Sequence, residues 1–548
     1  MKRSGATPAA DLQPVIDYHE ATKHRPGGFA PGPGFLDWSN QPDPFRRYAG
    51  ARLIPLPRIA PTDAPRYDAI FMPGRAPAPA PVDVRTLSQL FYDSLALSAW
   101  KRAGASRWAL RVNASSGNLH PTEGYLVCGP VDGLCGRPGV FHYAPREHGL
   151  ELRAGLDEGT WRGLCAGFPA GTFFLALTSI HWREAWKYGQ RAYRYCMHDA
   201  GHALAALGIA AAGLGWQTRL LDTVGSEELA CLLGTAVPHA AETEEADLLV
   251  ACLPVEQLPV LPVLSATTLR ACADLDWQGI PNRLSASHVD WGMEAIAARV
   301  RKPHGTCATD ATAIAPRSFA PPPRPVALRR MIRQRRSAVA MDGETRITRA
   351  TFYRMLDRTL AVPGAPPFRM LPWTSQLHLA LFVHRVDGVA PGLYLLVRDA
   401  AQFDALQAAI TRAEHWHRPP GCPETLPLYC LIEADARDVA REIACQQDIA
   451  ADGCFSLAML AGFRAPLARH GAWFYPRLYW EAGMLGQVLY LEAEAAGVRA
   501  TGIGCYFDDP LHVLLGLQDN TFQDLYHFTV GGAVEDTRLG TEPAYGEE

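Results

Sequence analysis

Three side chains of types that bind metals lie close together in the sequence, namely Cys196, His198 and His202. The two histidines are four positions apart, so a helix would place them on one face, where they could hold a metal ion. Asp199 follows His198, however, and the general-base Glu of an HExxH site is therefore missing. We expect buried or interface histidines here and no metal.

The composition excludes several classes of function. The chain has 548 residues, of which 48% are hydrophobic and 20% charged, with a formal net charge of −4. This balance is ordinary for globular domains and does not indicate binding to nucleic acid or to anionic membranes. No apolar run reaches the roughly 18 residues of a membrane helix. Thirteen cysteines without a CxxC pair argue against a zinc ribbon, a thioredoxin-type pair or a disulfide scaffold, and favour the cytoplasm.

The elements that would position any site occur twice. Residues 198–234 align without a gap with residues 480–516, so that Gly201 falls on Gly483 at an offset of 483 − 201 = 282. A period this long that occurs twice indicates a duplicated domain rather than a solenoid of short repeats.

Both halves predict the same order of elements. An opening helix (87–100; 328–341) precedes an arginine, a loop and a strand, with Arg111 falling on Arg369 at an offset of 258. An Asp-Gly turn, a strand, a long helix, a strand, a short helix ending in LLG and a final strand follow. Helices mixed with non-alternating strands predict an α+β domain, made twice.

Proline-rich and glycine-rich segments suggest the domain boundaries. The predicted parts are an N-terminal arm over 1–84, a first domain over 85–260, a linker over 261–325 that ends in a stiff proline-rich connector, and a second domain over 326–548.

In these motifs the chain resembles the FMN-dependent nitroreductase superfamily. The first half, with RVNASSGNLHPTEGYLV and KYGQRAYRY, resembles more narrowly the SagB-type dehydrogenases, which oxidise azolines to azoles during peptide maturation. The resemblance implies mainly antiparallel sheets flanked by helices, and dimers that bind FMN between their subunits. It therefore implies two tandem nitroreductase-like domains that form an intramolecular pseudo-dimer, either as a monomer or within a homodimer.

The resemblance implies that the flavin phosphate binds to the second half. A phosphate needs cations and hydroxyl donors, and the family's Arg-x-Ser-x-Arg/Lys run is matched by Arg335 and Ser337, next to Arg336. Without the repeat, such a basic run would indicate only a solvated helix face. Val339 replaces the second cation of the family, and the ending VEDTRLG implies that Arg538 supplies it instead.

The flavin ring motif of the family survives only in the first half. Ser115, Ser116 and Asn118 match it, whereas the second half has the bulky Trp373 where a small residue is needed. An SSGN segment alone would indicate only a turn. The segment GVRATGIGCYF implies that the backbone N–H groups of Gly504 and Cys505 face the flavin, with glycines allowing close approach. Because the two halves keep complementary motifs, we predict one intact FMN site built by both and one degraded site.

The Lys-Tyr pair of the SagB-type branch is matched by Lys187 and Tyr188, while the second half has Arg469 and His470 at these positions. Azoline oxidation removes a proton and a hydride from adjacent atoms, so either side chain could act as the base. A surface lysine and a packing tyrosine would be the structural alternative. The nearby Arg191 and Arg194 could bind an anionic substrate or pair with Asp or Glu.

The sequence thus predicts an FMN-dependent oxidoreductase, a SagB-like dehydrogenase acting on a small molecule or a modified peptide. One alternative is a nitro or quinone reductase that takes hydride from NAD(P)H. No GxGxxG lies at a strand-to-helix turn, so the nicotinamide would dock transiently over the flavin. The other alternative is a flavin-binding or scaffold protein without redox turnover.

Overall fold

The computed structural model describes residues 12–546 except 73, 237–241, 309–324 and 363. The helices of the first half and its extensions are α1 Gln13–Ala21, α2 Val84–Tyr92, α3 Glu158–Leu164, α4 Trp182–Tyr188, α5 Ala192–Gly213, α6 Ser226–Leu233, α7 Ala266–Ala271 and α8 Met293–Arg299. Those of the second half are α9 Leu328–Gln334, α10 Arg349–Arg358, α11 Phe403–Ala409, α12 Arg437–Ile443, α13 Ile449–Asp452, α14 Arg464–His470, α15 Tyr475–Ala496 and α16 Asp508–Leu515.

The strands follow the same division. Those before the second half are β1 Tyr48–Ala49, β2 Arg52–Pro55, β3 Leu97–Ala103, β4 Ser106–Arg111, β5 Thr122–Cys128, β6 Gly139–Ala144, β7 Gly149–Gly155, β8 Phe173–Ile180, β9 Gln217–Leu220, β10 Glu244–Leu253 and β11 Ile280–Pro281. The remaining strands are β12 Ile347–Thr348, β13 Leu377–Val383, β14 Val386–Asp387, β15 Gly392–Leu396, β16 Leu428–Glu433, β17 Phe455–Gly462, β18 Arg499–Ile503, β19 Phe522–Gly531 and β20 Gly540–Glu542.

Each half contains one large antiparallel sheet. The first sheet has the order β2-β7-β6-β5-β8-β10-β9 and the second the order β16-β15-β13-β17-β19-β18. Strands β5, β8, β10 and β9 of the first sheet correspond to β13, β17, β19 and β18 of the second, so the duplicated α+β fold is confirmed. One hydrophobic cluster continues across both halves, and each sheet has a further cluster on one of its faces.

The two long helices α5 and α15 form the centre of the molecule. Every residue of α5 is buried, and so is every residue of α15 except Ala496, although both helices carry charged side chains such as Arg194 and Glu481. They pack together closely where Gly201 and Gly483 meet. A Cβ on Gly201 would overlap the backbone oxygen of Trp480, and one on Gly483 would overlap that of His198. Because these glycines are equivalent in the repeat, the pseudo-twofold axis passes close to this crossing.

The opening helices are shorter than the sequence predicts. Helix α2 ends at Tyr92 and the chain continues as strand β3, while α9 ends at Gln334. Strand β3 pairs with β4 and β20. In the second half, Ser337 forms a parallel bridge with Ala500, and the Ala338 N–H donates to the Ala500 carbonyl. Backbone pairing with distant strands therefore overrides local helix propensity in both places.

The strand register also corrects the predicted offset of 258. Thr122 pairs with Ser179, and Leu377 pairs with Ala461. Strands β8 and β17 keep the repeat offset of 461 − 179 = 282, so Thr122 corresponds to Leu377 at an offset of 377 − 122 = 255. The loops that precede these two strands are therefore not equivalent residue by residue.

The predicted arm and linker contain regular structure that covers the domains. Strand β2 joins the edge of the first sheet by pairing with β7, and the linker strand β11 pairs with β1. The linker also forms α7 and α8, whereas its proline-rich connector lies almost wholly outside the described residues. At the other end, β20 of the second half pairs with β3 of the first half.

A buried carboxylate joins the arm to both halves. Asp508, in the second half, accepts hydrogen bonds from Arg191 at 2.8 Å, Arg194 at 2.7 Å and the His24 backbone N–H at 2.8 Å. Burial alone would raise the pKa of Asp508, but the two guanidinium groups outweigh burial and hold that pKa well below its usual range. Arg191 and Arg194 are therefore structural ion-pair partners, the second of the two roles considered for them.

Candidate functional site

A cavity of about 700 Å³ lies where the two halves meet, within the range of about 300–1,000 Å³ that is typical of small-molecule sites. Nine of the eleven predicted site residues line it: Ser115, Ser116, Asn118, Tyr188, Arg335, Arg336, Ser337, Gly504 and Cys505. Ser337 and Asn118 thus line the same cavity, each on the wall formed by its own half. They are 337 − 118 = 219 positions apart in the sequence. Lys187 and Arg538 are not among its lining residues.

The first-half wall is a loop with an unusual backbone. Gly117, Asn118 and His120 have positive φ values of 56°, 60° and 53°. The Asn118 side chain donates to the Ala109 carbonyl at 2.8 Å, and the His120 N–H donates to Ser115 Oγ at 2.8 Å. Left-handed residues other than glycine are costly and cluster at functional sites, where surrounding contacts fix them. The loop therefore presents its polar groups in a fixed arrangement.

Two buried carboxyl groups, which the sequence did not indicate, lie behind this loop. Asp199 accepts hydrogen bonds from the Ser115 hydroxyl and from the backbone and hydroxyl of Ser116. Burial raises the pKa of Asp199 to about 7. The pKa of Glu184 is also raised, first by burial and then by the nearby Asp199. Both carboxyl groups therefore keep a proton to higher pH than exposed carboxyl groups do.

Helix α4 brings the predicted catalytic pair to the same loop. The wall residue Tyr188 is half-buried, and its ring centroid lies 4.4 Å from that of Tyr195. A Cβ on Gly117 would lie 2.6 Å from the Tyr188 hydroxyl and 3.1 Å from Lys187 Nζ, so both polar groups pack against this glycine. Burial, followed by Glu184, raises the pKa of Tyr188 well above its usual value. Its phenol is therefore protonated at neutral pH.

The second-half wall carries the predicted phosphate ligands. Arg335 is only 4% exposed, and it donates to the Val112 carbonyl at 3.1 Å and to the Arg111 carbonyl at 3.2 Å. Its remaining nitrogen, Nη1, is buried without a hydrogen-bond partner among the described residues. The Ser337 hydroxyl lies 2.8 Å from the Tyr490 hydroxyl. An unpartnered buried guanidinium nitrogen fits an anion bound in the cavity.

Other cations line the cavity in place of Arg538. The Arg538 side chain is 85% exposed and forms an ion pair with Asp536 at 2.8 Å. Arg499 and Lys101 contribute to the wall instead. Arg499 stands in the GVRATGIGCYF segment, so the sequence contains a signal for this cation beside the glycines.

The glycines of that segment also allow close contacts with two tyrosines. A Cβ on Gly504 would lie 2.5 Å from the Tyr195 ring, and one on Gly502 would overlap the Tyr526 hydroxyl. The Tyr195 hydroxyl also donates to the Gly504 carbonyl at 2.9 Å. The contacts that require glycine at these positions are thus made with tyrosines of the wall.

The pseudosymmetric counterpart of this cavity is filled. With the offset of 282, Tyr195 corresponds to Arg477 and Gly504 to Asp222, and these two side chains form an ion pair at 2.7 Å. A cavity of about 50 Å³ remains beside them. Trp373 of the second-half loop is 6% exposed and packs against Phe474. An ion pair and aromatic rings occupy the space that is open in the first site.

The histidines considered as metal ligands lie between the halves. His202 is within hydrogen-bond distance of Gln487 and Tyr526, and the His198 ring stacks on Tyr526 at 4.2 Å. Burial lowers the pKa of both histidines. Within the described ranges, the group whose donor atoms are close enough together for a metal is elsewhere: His417, Cys430 and Glu433. None of the described helices has the length and apolarity needed to cross a membrane.

Solved structures identify the fold. No family model and no curated protein matches the sequence. The chain is similar to a candidate nitroreductase from Anabaena variabilis, with a TM-score of 0.68 and 21% identity over 95% of this chain and 99% of that one.

Two other similarities are more limited. One is to a candidate nitroreductase from Ralstonia eutropha, with a TM-score of 0.26 and 15% identity over 40% of this chain and 95% of that one. The other is to the E. coli microcin synthetase McbBCD complex, with a TM-score of 0.25 and 17% identity over 47% of this chain and 85% of that one. Of the three alignments, the one with the Anabaena protein extends over both halves of this chain. The chain therefore has the nitroreductase fold, built twice in tandem around one composite cavity.

Proposed function

We propose that this protein is an FMN-dependent oxidoreductase of the SagB-like type, which acts on a small molecule or a modified peptide in the cavity between its halves. One observation carries the proposal. The phosphate motif of the second half and the ring motif of the first half line the same cavity, as a flavin site shared by two nitroreductase domains requires. The filled counterpart supports a single site.

The residues of the cavity fit FMN. Arg335, with its unpartnered nitrogen, and Arg336, Arg499 and Lys101 would hold the phosphate. The loop with Ser115, Ser116 and Asn118 offers hydroxyl, amide and backbone groups to the polar edge of the ring. When bound, the cofactor supplies the acceptor for the hydride.

The chain's own residues would move the proton. We assign this step to Lys187 and Tyr188, which meet at Gly117 beside the ring-binding loop. Because burial keeps the Tyr188 phenol protonated, its hydroxyl donates a hydrogen bond to the substrate. The Lys187 amine then accepts the proton that leaves as the hydride departs. The buried Asp199 fixes the loop through Ser115 and Ser116.

A composite site predicts one FMN per chain. Saturation with FMN followed by removal of the free cofactor should leave a flavin-to-protein ratio near one, because the counterpart cavity of about 50 Å³ is too small for a flavin. The ratio is measured from flavin absorbance after denaturation and from the protein concentration by amino-acid analysis.

A ratio near two would overturn the single-site arrangement. A ratio near zero in a folded protein would favour the scaffold alternative. A nitro or quinone reductase is distinguished by anaerobic bleaching of the flavin with NADPH in the absence of any azoline.

A further inference from the structure

Two cysteines meet at the edge of the cavity. Cys505 lines the cavity, and its Sγ atom lies 3.0 Å from Sγ of Cys445. Both are half-buried free thiols. They are 505 − 445 = 60 positions apart, so the sequence offers no CxxC signal for the pair. A disulfide bond is about 2.05 Å long, and the two sulfur atoms therefore need to approach by only about 1 Å to form one.

The backbone holds the two cysteines together. Cys445 and Gln446 both have positive φ values, 53° and 59°, in a turn that follows α12. The side chain of Gln447 donates to the Ala444 carbonyl and to the Cys505 carbonyl, each at 2.8 Å. Consecutive left-handed residues other than glycine are costly and need support from their surroundings. Gln447 gives this support and fixes one cysteine segment against the other.

The electrostatics distinguish the two thiols. The hydrogen bond between the two thiols lowers the pKa of Cys505, and Arg191 lowers it further. The pKa of Cys445 is raised, first by the same hydrogen bond and then by burial. A thiolate is the nucleophile of disulfide exchange, and a neighbouring thiol and a cation favour it. Cys505 is therefore the reactive member and Cys445 its partner.

We propose that Cys445 and Cys505 form a redox-active pair that passes two electrons between the cavity and a small-molecule disulfide outside the protein. The inference rests on the proposed function, since the electrons are exchanged with the FMN expected in the cavity. It gives this oxidoreductase a second, thiol-based reaction that returns its cofactor to the oxidised state.

The electrons and atoms balance in both steps. The Cys445–Cys505 disulfide takes up two electrons and two protons from the reduced cofactor, its S–S bond breaks, and two thiols form as the cofactor is reoxidised. The Cys505 thiolate then attacks glutathione disulfide and releases one glutathione. Cys445 sulfur displaces the second glutathione and forms the S–S bond again. The reverse sequence carries electrons inward.

The pair is tested first by its oxidation state. The FMN-loaded full chain is equilibrated in glutathione buffers of graded ratio, acid-quenched and alkylated, and its peptides are identified by mass. We expect a Cys445–Cys505 disulfide in oxidising buffer that disappears in reducing buffer. Cys165, which is half-buried and lies outside the cavity lining, should stay an alkylated thiol. A folded protein in which Cys445 and Cys505 both stay thiols would overturn the proposal.

The second test counts electrons. In anaerobic dithionite titration, the oxidised wild-type protein should consume two electron equivalents more per chain than Cys445→Ser or Cys505→Ser, while Cys165→Ser matches the wild type. Equal counts for the wild type and the two pair variants would overturn the relay even if the disulfide forms. A folded chain that retains no FMN would refute the proposed function and the relay with it. The alkylation experiment on that FMN-free protein would then show by itself whether Cys445 and Cys505 form a disulfide.

Discussion

Tyr188→Phe is expected to lower turnover by about 10²–10³-fold, the usual cost of losing one positioned hydrogen-bond donor in an active site, while the protein still binds FMN and keeps its yellow spectrum. The substitution removes the hydroxyl that packs against Gly117 at the cavity wall and leaves the ring in place. Lys187→Ala should have an effect of similar size. The rate is measured as anaerobic bleaching of the flavin absorbance by a model peptide that contains a thiazoline.

Tyr353→Phe is the matched control, because its hydroxyl donates to the Pro420 carbonyl in the second half, away from the cavity. This control should bleach at the wild-type rate. Wild-type bleaching that survives in both Lys187→Ala and Tyr188→Phe would remove the catalytic role of the pair. The FMN assignment would then stand, and the pair would be structural.

Arg335→Ala is expected to weaken FMN binding by about ten- to a hundredfold. Hydrogen bonds to charged groups contribute roughly 1.5–3 kcal/mol each, and a tenfold change in affinity corresponds to about 1.4 kcal/mol. Arg335 is buried and supplies the unpartnered nitrogen at the cavity. The dissociation constant is measured by quenching of FMN fluorescence during titration with the cofactor-free protein.

Arg538→Ala serves as the control, since the structure places this exposed side chain on Asp536, and its FMN affinity should not change. Arg335 also donates hydrogen bonds to two backbone carbonyl groups, so its loss could affect the structure as well as phosphate binding. A thermal unfolding curve and the variant Arg335→Lys distinguish the two effects. Unchanged affinity in Arg335→Ala together with weak binding in Arg538→Ala would show that the phosphate lies at the C-terminal segment instead.

Much of the fold could be predicted because the repeat kept its offset through its most buried part. Gly201 and Gly483 align without a gap since a side chain at either position would overlap the opposite helix. The opening helices predicted from the sequence are too long, because after Tyr92 strand β3 pairs with the distant strand β20, and after Gln334 the backbone of Ser337 pairs with Ala500. No local pattern contains that information.

Site residues that belong to one short motif could be predicted from the sequence. Those that come together from several distant segments could not. Ser115, Asn118 and Arg335 stand in short runs that the resemblance could match one by one. In the sequence, Asp199 is noticeable only because it stands where an HExxH motif would have Glu. Its contact with Ser115 joins positions that are 199 − 115 = 84 apart, so no local motif predicts it. Cys445 lies in an irregular turn, and only the folded chain brings it to Cys505.

Because both cavity walls belong to one polypeptide, dilution of the protein should not separate them. A site divided between separate subunits is lost when the protein concentration falls below the dissociation constant of the dimer. Here the tether between the halves keeps the second wall at a fixed effective concentration. Assembly of the pocket is thus a unimolecular event that belongs to folding. Cofactor affinity should be the same in a crowded preparation and in one diluted a thousandfold, so even a few copies in a cell would each carry a complete site.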